Sequence, residues 1–178
     1  GQGHEEAQFN LGIMYYHGQG VAQDLTKARE WYERAAGQGH EVAQFNLGGM
    51  RDEGQGVAQD FTKAREWYEL AAAQGLATAQ YSLGAMYHKG QGVAQDFTKA
   101  REWWELAAAQ GHAEAQFNLG LLYDQGEGVA QDLTKAREWW ELAAAQGDAE
   151  AQCNLGVMHR NGEGVAQDLT KARDLYEL

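Results

Sequence analysis

The chain of 178 residues has a single cysteine, Cys153, so no internal disulfide is available to it. One free thiol does not identify a redox compartment. No apolar run approaches the about 18 residues of a membrane-spanning helix, and no segment at the start has the features of a signal peptide. Basic residues are few, 14 against 26 acidic ones, for a net charge of -12. Phosphate binding needs a basic stripe, so this balance argues against nucleic acid. An anionic membrane surface is disfavoured for the same reason. Period-two alternation of apolar and polar residues is also missing, and alanine-rich segments are poor strand formers.

What is present is a repeat. Ala-Gln followed by Asn/Ser-Leu-Gly begins at Ala7, Ala43, Ala79, Ala115 and Ala151, each 36 residues after the last. Gly-Val-Ala-Gln-Asp recurs at 20–24, 56–60, 92–96, 128–132 and 164–168, and Thr-Lys-Ala-Arg follows each after one residue. A period in this range marks a solenoid or array. One array is predicted over 1–178, with copies at about 7–42, 43–78, 79–114, 115–150 and 151–178. Gly1-Gln2-Gly3-His4 reads as the tail of a repeat, so a longer parent chain is expected.

Each copy predicts two helices. In the first, Ala7, Leu11, Met14 and Tyr15 share one face at helical spacing. Gly18-Gln19-Gly20 breaks the chain, since glycine adopts positive φ without steric penalty. Asp24 is placed to cap a second helix over 25–36, whose apolar stripe is Leu25, Ala28, Trp31, Tyr32 and Ala35. Gly39 is expected to end it. Arg29/Glu33 and its counterparts Arg65/Glu69, Arg101/Glu105, Arg137/Glu141 and Arg173/Glu177 are expected as solvated i,i+4 pairs. One glycine per copy (Gly12, Gly48, Gly84, Gly120, Gly156) falls inside the first helix, where it costs roughly 1 kcal/mol against alanine. Close approach of the paired helices would compensate. The fold class is therefore all-α: an α/α superhelical repeat solenoid of five stacked helix pairs, stabilised by its neighbours and drawn out into a curved rod.

The order Ala-Gln-Phe-Asn-Leu-Gly, Tyr, Gly-Gln-Gly-Val, Asp, Lys-Ala, Trp-Tyr, Ala-Ala, Gly resembles the SEL-one-like repeat (SLR) family, a relative of the tetratricopeptide repeat. The resemblance covers essentially the whole chain. It implies an adaptor that binds proteins, and a bacterial periplasmic or secreted setting. Three departures stand out: Arg51 and His159 replace the tyrosine of the other copies, and Leu175 replaces a tryptophan. The array also stops at Leu178 without a capping helix, and matching ends suggest end-to-end self-association as an alternative role.

Differences between copies point to a binding face. The variable places are Ile13, Gly49, Ala85, Leu121 and Val157; Tyr16, Asp52, His88, Asp124 and Arg160; and His17, Glu53, Lys89, Gln125 and Asn161. All lie on first helices, and Asn10, Ile13 and His17 follow i, i+3, i+7 on one face. Tetratricopeptide-like arrays line a concave groove with that helix, so a groove holding an extended peptide is one reading; drift on an exposed face is the other. Asn10, Asn46, Asn118 and Asn154, with Ser82 between, form a ladder there. An amide both donates and accepts, so it can bond a peptide backbone; a bond to the next helix is the competing role. Phe9, Phe45, Tyr81 and Phe117 are expected as half-buried packing at the groove's edge, with Cys153 as a small apolar substitute.

Other chemistry finds little support. A phosphate loop needs Lys-Ser/Thr after its glycines, and Asp24 holds the helix start instead. His4, His40 and His112 sit in different copies, too far apart to share an ion. Six tryptophans, Trp31, Trp67, Trp103, Trp104, Trp139 and Trp140, are assigned to the core and not to a sugar or amine platform. Carboxylates repeat as surface pairs and none is singular, so no catalytic residues, no cofactor and no metal site are expected.

Overall fold

A computed structural model describes residues 2–177. Among them are ten helices and no strands, and the helices hold 71% of the chain. They are α1 Gln2–His17, α2 Leu25–Ala36, α3 Glu41–Glu53, α4 Phe61–Ala73, α5 Ala77–Lys89, α6 Phe97–Ala109, α7 Ala113–Gln125, α8 Leu133–Ala144, α9 Ala149–Asn161 and α10 Leu169–Tyr176. The chain divides into two compact units, residues 1–95 and 96–178. In each, every helix packs on the next in chain order, α1 to α5 in the first and α6 to α10 in the second. The fold is the all-α repeat of helix pairs that the period predicts.

The mid-helix glycines are where the two helices of a pair touch. A Cβ on Gly48 would lie 2.5 Å from Cδ1 and Cε1 of Tyr68, and one on Gly12, Gly120 or Gly156 would run into Tyr32, Trp140 or Tyr176. Only hydrogen fits between helix and ring. At Gly12, Gly48 and Gly120 the lost helix propensity is offset by burial of a whole aromatic side chain.

The link between paired helices is fixed by its own hydrogen bonds. Gly54 ends α3 with φ of 72°, and Gly90, Gly126 and Gly162 end α5, α7 and α9 likewise. Gln59 Nε2 then donates to the Asp52 carbonyl at 2.6 Å, and Asp60 N–H donates to the Arg51 carbonyl at 2.8 Å. The Asp60 carboxylate accepts from Lys63 N–H at 3.1 Å, capping α4. Asp24 caps α2 in the same manner, and that backbone bond lowers its pKa. Gln23, Gln95, Gln131 and Gln167 repeat the reach of Gln59 to the carbonyls of Tyr16, His88, Asp124 and Arg160.

A second glutamine joins consecutive copies. Gln44, Gln80 and Gln116 are buried and donate to the carbonyls of Ala36, Ala72 and Ala108, each at 3.3 Å. Their own carbonyls can accept in turn: Gln74 donates to Gln44 and Gln146 to Gln116, both at 2.8 Å. Buried amides satisfied on both sides tie each copy to its neighbour in one register.

Four expectations need correction. Trp104 and Trp140 are buried, but Trp31, Trp67, Trp103 and Trp139 are only half-buried. The buried stripe runs Ala28, Tyr32, Ala35 at i, i+4, i+7, and the residue before the second aromatic falls at its edge. Arg34 lies over the Trp31 ring at 4.4 Å, partly covering it. The arginine–glutamate pairs form, from 2.7 Å at Arg29–Glu33 to 3.7 Å at Arg173–Glu177. They are not wholly solvated: Nε of Arg29, Arg65, Arg101 and Arg137 is buried and makes no hydrogen bond, because the stems lie along the helix surface. Helix α2 spans Leu25–Ala36 as expected, but its C-cap is Gly37, and Gly39 takes its φ of 98° in the turn beyond. Cys153 is exposed, whereas Phe9, Phe45, Tyr81 and Phe117 are half-buried; a side chain this short does not reach the neighbours that a ring touches.

Candidate partner-binding face

In the first unit the variable residues converge. A cavity of about 470 Å³ is lined by Ile13, Tyr16 and His17 from α1, by Phe45, Asn46, Gly49, Met50, Asp52 and Glu53 from α3, by Gln55 after it, and by Ser82 from α5. Tyr32 and Tyr68 complete it from α2 and α4. Eight of the residues singled out from the sequence for the binding face thus share one wall: Ile13, Tyr16, His17, Asn46, Gly49, Asp52, Glu53 and Ser82.

The polar groups of the cavity are linked. The Tyr16 hydroxyl donates to Gln55 Oε1, and Gln55 Nε2 donates to Glu53 Oε2 at 2.5 Å. The Tyr68 hydroxyl stands close to Asp52 and Ser82, and the Tyr32 hydroxyl close to Asn46. Burial pushes the Tyr32 hydroxyl up to about 12 and raises that of Tyr68 as well, so both stay neutral donors at any physiological pH. Burial also raises the Asp52 carboxyl, helped by Glu53; Lys89 and the Tyr68 bond pull the other way.

The remaining candidates do not join this cavity. Asn10 is exposed and its amide reaches Glu6 at 3.5 Å. His88 is half-buried and Lys89 exposed on α5. In the second unit Asn118, Leu121, Asp124 and Asn154 are half-buried, and Gln125, Arg160 and Asn161 exposed. Leu121 packs against the cluster around Tyr123 and Trp140. Burial raises the Asp124 carboxyl, with Glu163 adding to it. Arg160 Nε donates to Asn161 and Asn161 to Glu163, both at 3.2 Å.

A second cavity of about 280 Å³ lies between α8, α9 and α10, lined by Glu141, Gln152, His159, Lys171 and Leu175 among others. It gathers two of the departures of copy five: buried His159 in the tyrosine place and Leu175 in the tryptophan place. His40, weighed as a metal ligand, caps α3 by accepting from Ala43 N–H at 3.2 Å, and Asp148 does the same for α9 at 2.8 Å. Among the described residues no three His, Cys, Asp or Glu side chains gather as a metal site. No helix among them is long and apolar enough to cross a membrane.

The sequence reading missed the contributions of Tyr32, Tyr68 and Gln55 to the cavity, and placed Phe45 at its edge as packing. The two tyrosines have buried rings but hydroxyls that reach the face; a tyrosine where copies three and four hold tryptophan was the available signal.

Helix pairs in register, a fixed frame and a variable face define an α/α repeat scaffold. The Sel1 repeat matches residues 5–40, 42–76, 77–112, 113–148 and 149–178, and the chain belongs to that family. Its fold is similar to that of a protective antigen of uropathogenic Escherichia coli displaying an SLR fold (40% identity, TM-score 0.96). The match covers 99% of this chain and 38% of that one, so the chain spans well under half of that antigen. A Sel1 repeat protein from Oxalobacter formigenes is similar at 36% identity and TM-score 0.90, over 97% of this chain and 71% of that one. A Sel1 repeat protein from Klebsiella pneumoniae matches at 25% identity and TM-score 0.59, over 96% and 83%. No curated protein matches the chain. Sel1 repeats are scaffolds for protein interaction and not a catalytic fold.

Proposed function

We propose that this chain is an interaction scaffold that holds a partner segment in extended form along its first helices, the concave face in arrays of this kind. The observation that supports it is the cavity lined by variable residues of three consecutive copies. The frame beneath is uniform, so the side chains on it set which partner is held. The asparagines would bond the partner's backbone, and charges alternating between copies would select its sequence and speed its association. A photo-crosslinking residue at Tyr16 should capture the partner, and one at the exposed Glu30 of α2 should not. Adducts at Glu30 alone would sink the proposal.

A further inference from the structure

The first variable place is glycine only in copy two, and the larger cavity lies over it. A Cβ on Gly49 would meet nothing nearer than the Tyr68 hydroxyl at 3.9 Å. Its neighbour Gly48 is the opposite case, with a ring 2.5 Å from where a Cβ would stand. Gly48 is thus required by packing, whereas packing leaves room for a side chain at Gly49 and none is there. That missing side chain keeps the cavity open.

The wall beside it is acidic. Glu53 accepts from Gln55, and Asp52 stands close to the Tyr68 hydroxyl. A carboxylate accepts up to about four hydrogen bonds, so each keeps capacity for a ligand. Lys89 acts on Asp52 from α5 but does not line the cavity; His17 does line it. Tyr16 and Phe45 add aromatic surface. Carboxylates beside aromatic rings are the combination that favours a cation, and a planar guanidinium above all. We propose that the cavity over Gly49 is an anchor pocket for a basic side chain of the partner, arginine in the best case, with Asp52 and Glu53 as its counter-charges. This rests on the scaffold reading above and adds the chemistry of the partner to it.

The test is a titration of the whole chain with three capped alanine pentapeptides that carry arginine, leucine or glutamate at the centre, followed by amide shifts in nuclear magnetic resonance. The arginine peptide should shift Gly49, Asp52 and Gln55, and bind at least about tenfold more tightly than the other two. Gly49→Leu and Asp52→Asn should each weaken it by a similar factor. Copy four carries Leu121 at the place of Gly49, so Gly49→Leu should keep its circular dichroism and melting temperature, and lost binding is then not lost folding. Three results overturn the inference: leucine or glutamate peptides binding those amides as tightly, an affinity untouched by both substitutions, or no Gly49 shift at about 10 mM arginine peptide. The scaffold reading is judged separately by crosslinking at Tyr16 and survives any of them.

Discussion

Copies two and four carry the same carboxylate at the same place, Asp52 and Asp124, on surroundings that differ. Copy two has Gly49 and Tyr68, and Asp52 stands in the wall of a cavity. Copy four has Leu121 and Trp140 instead. Leu121 packs against the core cluster, and the Trp140 indole N–H donates to the Phe117 carbonyl at 3.2 Å. The aromatic side chain of copy two therefore directs a hydroxyl into the face, while that of copy four is satisfied within its own helix pair. The backbone frame is the same in both: Gln59 holds the Asp52 carbonyl at 2.6 Å, and Gln131 the Asp124 carbonyl at 2.7 Å. Side chains on this face can therefore change between copies without moving the helices that carry them. Folding and recognition occupy different positions of one repeat.

The largest effect separating core from face should come from the tryptophans of copy four. Trp140 is 3% exposed, so Trp140→Ala should cost roughly 3–5 kcal/mol. Trp139, half-buried beside it, should cost only about 1–2 kcal/mol as alanine. Chemical denaturation followed by circular dichroism would check both, and equal losses would mean that the half-buried ring belongs to the core. Next in size are the two adjacent glycines of α3. Gly48→Ala forces a methyl group against the Tyr68 ring and should cost about 1–3 kcal/mol. Gly49→Ala should instead gain up to about 1 kcal/mol, since alanine favours the helix and the space is open. Denaturation midpoints moving in the same direction would refute the close approach of α3 and α4.

The sequence made some of this legible and hid the rest for physical reasons. Helices and their order follow from spacing alone: Ala43, Leu47 and Met50 fall on one face and are buried together. Ile13, Tyr16, His17, Gly49, Asp52 and Glu53 of the cavity were legible because near-identical copies act as internal controls, so that places which differ stand out against places which do not. The same logic hid Gln44 and its counterparts. They are constant, polar and one residue from Ala43, and their role appears only once a neighbouring copy brings the Ala36 carbonyl within reach. A constant polar residue between buried positions was the signal. The half-burial of Trp31 was hidden too, because an aromatic at the edge of a helical stripe looks the same in sequence as one at its centre.

The asparagine ladder gives a smaller contrast. Asn46 stands close to the Tyr32 hydroxyl, and Tyr32 is 2% exposed. Asn46→Ala removes that contact while the cavity leaves the hydroxyl open to solvent, and should cost about 1 kcal/mol of stability. The aromatic in the equivalent place for Asn118 is Trp104, which has no hydroxyl. Asn118→Ala should therefore leave the melting temperature nearly unchanged and weaken partner binding by about 1–2 kcal/mol. If Asn118→Ala unfolds the array, or leaves affinity for a verified partner unaltered, the ladder is structural. The binding surface must then be sought on the second helices or in the glycine turns.

The smallest contrast lies in the titration of the two aspartates. Both carboxyls are raised above the ordinary aspartate value, chiefly by burial. Glu53 adds to the shift at Asp52, where Lys89 and Tyr68 oppose it; Glu163 adds to the shift at Asp124. A carboxyl raised on folding contributes stability that is complete below its unfolded value, about 3.9, and lost as pH rises through the folded one. Asp52→Asn and Asp124→Asn should therefore each gain stability relative to the parent chain between about pH 4 and pH 7. A relative loss over that window would reverse the sign and remove burial as the cause. The two sites should part when a cation is supplied. An arginine-centred peptide in the cavity favours the ionised form of Asp52, so the carboxyl carbon of Asp52 should titrate at lower pH in its presence. Asp124, beside Leu121 in place of a glycine, should titrate as before. Equal displacement of both would show that the peptide acts through general charge, and the difference between copies two and four would then be one of packing alone.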